Sequence, residues 1–269
     1  YGVYGSGSTI IATDSISVEV TGGAGGNGAA GVSGANGKDG KDATSSSIGT
    51  VGDIGGTGAD GVSGGTGGLA TAYGLHSSGG ITVLTAESIN AQATGGVGGT
   101  GGTGGTGGTG GSAVAYGLHS SGGITILTAD SITAQASGGT VGSGGIAGSE
   151  GYGGYGGYGF GNYGQKGAQG ASGIAGADGQ KGAQAEAYGV YADNGAVITL
   201  SAKTDSGTPS GTITIGAKAD NATRTEAYAV YADNATVLFN DNAVLNTSDG
   251  SSTDNTVITY LNNATLGFG

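Results

Sequence analysis

Short runs of β-branched and apolar residues recur along the chain: ITVL at 81–84, ITIL at 124–127, VITL at 197–200 and VITYL at 257–261. Runs of this length, bounded by small or turn-forming residues, predict strands. In 132–136 the alternation is clean, with Ile132, Ala134 and Ala136 on one side and Thr133 and Gln135 on the other. A period of two with one apolar side predicts a strand buried on a single face.

The runs belong to a repeat. Residues 73–94 read YGLHSSGGITVLTAESINAQAT and residues 116–137 read YGLHSSGGITILTADSITAQAS, with looser copies starting at Tyr1, Tyr188 and Tyr228. Five copies thus share a frame, each holding two or three strands separated by Ser-Gly-Gly, Asp-Asn-Gly or Asp-Asn-Ala turns. A unit of ~20–25 residues cannot bury a core alone, so copies must stack to make one. The expected fold is all-β: a parallel β-solenoid (β-helix) with glycine-rich, polyproline- or polyglycine II-type excursions. Stacking places Val3, Leu75, Leu118, Val190 and Val230 in an interior ladder, and Tyr4, His76, His119, Tyr191 and Tyr231 in a second column. The Gly or Ala after each lead tyrosine is expected at a crowded corner.

Between the copies glycine recurs at every third residue. The tracts lie at 22–69, 95–112 and 138–184, so that 1–184 reads as solenoid rungs interrupted by triplets and 185–269 as a continuous solenoid segment. Equal triplet runs at 22–42 and 49–69, joined by the linker 43–48, predict an out-and-back hairpin, and a phase break at Phe160 predicts another. A period of three fits the left-handed polyproline II helix, which has no internal hydrogen bonds and must be solvated or bonded laterally. Three outcomes are open: a packed layer beside the rungs, a flexible linker, or a collagen-like triple helix, the last disfavoured by a single proline.

Composition narrows the function. Glycine supplies 68 of 269 residues, Cys, Met and Trp are absent, and the net charge is −12 from scattered carboxylates. Seven basic residues offer no cluster for phosphate, which argues against nucleic-acid binding. No apolar run reaches the ~20 residues of a bilayer-spanning helix. Tyr1 is no translation start, so the chain is expected to be a processed product or a segment of a longer protein.

The pattern of AYG(L/V)(H/Y), a Ser-Gly-Gly or Asp-Asn-Gly turn, an ITILTADSITAQAS-like strand pair and a glycine-rich run resembles passenger segments of bacterial autotransporter adhesins. The triplet tracts resemble the polyglycine helices of phage-tail adhesin tips and of a glycine-rich insect antifreeze protein. The first resemblance implies a right-handed β-helix exported to the cell surface, used for adhesion or matrix building.

Candidate chemistry is sparse. His76 and His119 occupy a position held by tyrosine in other copies, which favours packing over metal binding. Asp60 in GGTGADGVS matches a calcium-binding nonapeptide, but only once, and such sites are shared between tandem turns. Both readings are weak, and no cofactor is expected. Glu87 and Asp130 occupy equivalent turns and could approach as a carboxylate pair, though a like-charged ladder is the plainer reading. Asn221, Asn234, Asn246 and Asn263 begin glycosylation sequons that solenoid turns also explain. Tyr152, Tyr155, Tyr158, Phe160 and Tyr163 form an aromatic stripe expected to be buried between subunits.

The expectation is a non-enzymatic, secreted or cell-surface structural and adhesive protein that forms homo-oligomers or filaments and contacts a host surface or glycan. The alternative is a repetitive face for ice or polysaccharide built on Thr100, Thr103, Thr106 and Thr109.

Overall fold

A computed structural model describes residues 1–31, 38, 61–146, 175–203, 211–249 and 255–269. The described residues contain seventeen strands and no helix. The first coil is β1 (Val3–Gly5), β2 (Thr9–Ala12) and β3 (Ser15–Thr21); the second is β4 (Ala70–Ser78), β5 (Ile81–Thr85) and β6 (Ser88–Thr94). The third is β7 (Ala113–Ser121), β8 (Ile124–Thr128) and β9 (Ser131–Ser137), and the fourth β10 (Gly182–Asp193), β11 (Val197–Ser201) and β12 (Thr212–Asp220). The fifth is β13 (Ala222–Asp233), β14 (Thr236–Phe239) and β15 (Asn242–Asp249), and the sixth contributes β16 (Asn255–Asn262) and β17 (Thr265–Phe268).

Each coil lays one strand into each of three parallel sheets: β1-β4-β7-β10-β13-β16, β2-β5-β8-β11-β14-β17 and β3-β6-β9-β12-β15. The protein is a three-sided parallel β-solenoid. The described residues form six coils where the repeat predicts five, because the sixth begins without the lead Tyr-Gly and has Val257 in register with Tyr228. The sheets continue unbroken through position 184, inside β10, which pairs with both β7 and β13.

Where the chain turns from the first sheet to the second, the second and third coils use glycine pairs with positive φ, Gly79–Gly80 and Gly122–Gly123. The later coils use Asn194, Asn234 and Asn263 at φ of 53°, 49° and 47°, a region that asparagine tolerates far better than β-branched residues do. Asn221, at φ 53°, closes the third-to-first corner of the fourth coil with no excursion. In the first three coils that same corner opens into the glycine tracts.

The interior narrows toward that corner, and side-chain size follows it. Leu75, Leu118, Ile132, Ile198, Ile215 and Phe239 fill the wide part, where all three sheets converge. Between the far halves of the first and third sheets alanine predominates, in a slab that includes the fully buried Ala72, Ala93, Ala115 and Ala136, with Val18 and Val20 packed against it and Thr225 buried in register with Ala185. Beyond it lies the glycine.

There the described parts of the tracts pair as three antiparallel hairpin arms, 22–31 with 61–69, 95–103 with 104–112, and 138–146 with 175–182, ordered by lateral hydrogen bonds at every third residue; the turns expected at 43–48 and Phe160 lie outside the described residues. The first residue of a triplet donates along its own row to the next hairpin, as Gly25 does to Val97, Gly98 to Thr140, and Gly67 to Thr109. The second donates to the opposite row: Gly68 to Gly23, Gly96 to Gly68, Gly111 to Gly96, Gly139 to Gly111. The third carries its side chain outward. This period of three is that of a polyglycine II helix bonded laterally to its neighbours.

The lattice explains a difference in triplet composition. The middle hairpin has neighbours on both sides and reads Gly-Gly-X throughout. A Cβ on Gly96 or Gly99 would enter the backbone carbonyl of Gly23 or Gly26, and one on Gly107 or Gly110 that of Gly142 or Gly139. Among the described residues each outer hairpin has a neighbour on one side only. The first therefore accepts Ala29 and Val62 at the second position, and the third accepts Asp178 and Lys181 at the first position of its returning row. On the uncovered side, Asp178 accepts the Gly144 N–H at 2.8 Å, where a further hairpin would have supplied a carbonyl.

Candidate functional site: the stacked aromatic and imidazole face

Alternation breaks in β4, β7, β10 and β13 of the first sheet. Gly74 and Leu75 both face inward, so Tyr73 and His76 emerge side by side on the outer face with ring centroids 5.1 Å apart. The glycine is required by its surroundings: at Gly117 and Gly189 a Cβ would lie 2.5 Å from Cγ2 of Ile132 and Ile215. In the fifth coil Leu245 follows Ile215 in register. It has no branch at Cβ, and Ala229 takes the freed space.

Stacking then builds two columns. Tyr1, Tyr73, Tyr116, Tyr188 and Tyr228 stack at 4.8, 4.8, 5.0 and 5.4 Å. In the second column His76 stacks on His119 at 4.7 Å, and Tyr191, Tyr231 and Tyr260 stack at 4.7 and 4.6 Å. The planes turn only where Tyr4 meets His76 and His119 meets Tyr191, both edge to face. Ring faces cover one another, so solvent meets edges and hydroxyls. The columns are thus a poor platform for a sugar, which stacks on an open ring face.

Carboxylates line the tyrosine column. Tyr188 donates to Glu186 at 2.9 Å and Tyr228 to Glu226 at 3.2 Å, while Gln184 and Arg224 hold the other oxygens. Burial, reinforced by the carboxylate beside it, pushes the Tyr188 hydroxyl far above its usual range and Tyr228 to about 12. Tyr191 is likewise raised to about 12 by burial, then by Asp193.

His119 sits deepest among the titratable groups of the second column. Its Nε2 lies 3.8 Å from Asp193 Oδ1, and both atoms, with the Nδ1 atoms of His76 and His119, are buried without a hydrogen-bond partner. Burial and then the stacked His76 lower its pKa to about 4 against the opposing pull of Asp193; burial also lowers His76. A base whose folded pKa lies below its unfolded value stabilises the fold fully above ~6.5 and loses that contribution as pH falls toward 4. Thermal stability should therefore fall between pH 6.5 and 4, and His119→Tyr, the residue of the neighbouring coils, should flatten the fall. An unchanged pH profile in that variant would show that the imidazole is not the cause.

The core positions Val3, Leu75, Leu118, Val190 and Val230 share one register, followed by Thr259. His76 and His119 come together, but among the described residues no three His, Cys, Asp or Glu side chains converge as metal ligands. Asp60 and the stripe Tyr152, Tyr155, Tyr158, Phe160 and Tyr163 lie outside the described residues. Glu87 and Asp130 follow one another at the second-to-third corner, where Asp130 N–H donates to Glu87 O and Lys203 pairs with the Glu87 carboxylate at 3.0 Å. The four threonines do not share one face. A turn at 102–105, closed by Gly105 N–H to Gly102 O, puts Thr100 in the outgoing row and Thr106 and Thr109 in the returning row, across the lattice.

Two features escape a reading of the sequence. Asp193 beside the imidazoles depends on cross-coil register. The outer face of the second sheet is also hidden, because ITIL is apolar at nearly every position and does not reveal that Ile124 and Ile126 point outward while Thr125 and Leu127 are buried. Thr125 is accommodated inside by a hydrogen bond to Ser120 at 3.0 Å, as Thr82 is by Ser77 at 2.9 Å.

The fold and surface define a repeat protein of the parallel β-solenoid class with a laterally bonded glycine lattice. No family model, curated protein or solved structure matches the chain. No helix among the described residues is long and apolar enough to cross a bilayer.

Proposed function

We propose that the chain is an extracellular structural and adhesive module, displayed at a cell surface or in a matrix, that associates with copies of itself. The observation that carries this reading is the columnar surface. Equivalent outward positions recur coil after coil in exact register, as Tyr73, Tyr116, Tyr188 and Tyr228 do on the first sheet. A surface that repeats at strand spacing meets another repeating surface with many identical contacts, which favours assembly over capture of one small molecule. The likeness to autotransporter passengers points to the same export and use.

The ice- or polysaccharide-binding reading draws on the lattice, but its threonines are divided between two rows. Negative-stain electron microscopy with sedimentation velocity tests the preferred reading. Rods that associate as concentration rises are expected, whereas single particles throughout the micromolar range would overturn it.

A further inference from the structure

The three sheets present different chemistry outward. Glu186, Asp193, Glu226 and Asp233 lie in first-sheet strands; Glu19, Lys218 and Asp220 lie in third-sheet strands. The six strands of the second sheet contain no charged residue. Their outward residues run in three columns set by the pairing register, two of which carry the large side chains. One is Ile10, Val83, Ile126, Thr199 and Leu238, and the other Ile81, Ile124, Val197, Thr236 and Thr265. Ile10 is 85% exposed, Ile81 47%, Ile124 41% and Ile126 40%. A third outward column, Ala12, Thr85, Thr128 and Ser201, gives the patch a small, mainly hydroxylated rim.

We infer that this face docks on the same face of a second copy, sheet against sheet, about a two-fold axis; the inference rests on the self-association reading above and names its surface. Charge selects the occupant. A charged partner would find no counter-charge here, and two copies at −12 each repel wherever carboxylates meet. Facing the uncharged sheets places the carboxylates of both copies at the periphery. A two-fold contact requires a self-complementary patch, which flat columns of Ile, Val and Thr supply. Six strands at ~4.8 Å and five residues at ~3.3 Å span roughly 480 Å² of plane. That footprint falls at the small end of specific interfaces, in the reversible class, so association should set in at micromolar concentration.

The test is sedimentation equilibrium of the whole chain, its Ile126→Lys variant and a Thr133→Lys control on the third sheet. The wild type and the control should rise toward twice the 24.9 kDa of one chain. Ile126→Lys, a lysine aimed at the middle of the contact, should weaken association about tenfold or more, with circular dichroism unchanged because the position already faces solvent. Added salt should strengthen the wild-type pair by screening the repulsion between copies. A wild type that stays at single-chain mass sinks the self-association reading itself. A wild type that associates while Ile126→Lys associates equally, or an association that salt dissolves, overturns this surface alone.

Discussion

Replacing Gly99 with valine should destabilise the protein by about 3 kcal/mol, whereas Gly23→Ala should leave it unchanged. Gly99 stands in the middle hairpin. It donates to Gly65 O and accepts from Gly108, and a Cβ there would lie inside the Gly25 and Gly26 backbone. Backbone cannot rotate aside as a side chain does, so the hairpin must shift. Overpacking of this kind costs about 1–3 kcal/mol, and each lost hydrogen bond about 1 more. At Gly23 the same atom would meet nothing within 4 Å. Thermal unfolding should separate the two variants by roughly 6–12 °C, and amide exchange should locate the loss at Gly99, Gly108 and Gly142. Equal melting temperatures would mean that the lattice adds nothing to the fold.

That contrast marks how far the sequence can be read. The solenoid was legible because its signals are local and repeated: an apolar period of two, a turn motif and nearly identical copies. The triplet period likewise matches the three-residue spacing of the lateral hydrogen bonds. The number of partners around each triplet was not legible, since it depends on which hairpins lie beside one another once the coils have stacked. The strict Gly-Gly-X of 95–111 against the looser Gly-X-Y elsewhere was the trace of that environment. The turn at 102–105 was hidden for a related reason: Gly-Gly-Thr continues through it unchanged, and only the lattice shows where the helix reverses. The threonines are divided as a result.

The sequons show local chemistry with a structural cause. Asn221, Asn234 and Asn263 each hold a left-handed corner, followed by alanine and then threonine in the next strand. Asn263 Nδ2 also donates to Asn234 Oδ1 at 3.1 Å, so part of the amide chemistry is spent within the stack. Asn-Ala-Thr is therefore a turn signature of this solenoid before it is anything else. The His76–His119 pair is similar: a substitution pattern with tyrosine foretold the stack, while the acid beside it came from the coil above.

The columns also make a prediction about how losses combine. Leu118 is fully buried, with Leu75 and Val190 at the same register on either side. Leu118→Ala should cost about 2–5 kcal/mol, as buried leucine truncations do, and Val3→Ala much less, because Val3 is only partly buried. Adding Leu75→Ala should cost less than the two single losses summed, since each leucine supplies part of the other's contact surface and the two cavities merge; neighbours couple by about 0.5–3 kcal/mol. Leu75→Ala with Val230→Ala should instead be additive, because three strand spacings, ~14 Å, separate those coils. Denaturant unfolding of the single and double variants distinguishes these cases. Strict additivity for the adjacent pair would mean that the side-chain columns contribute only as independent buried groups.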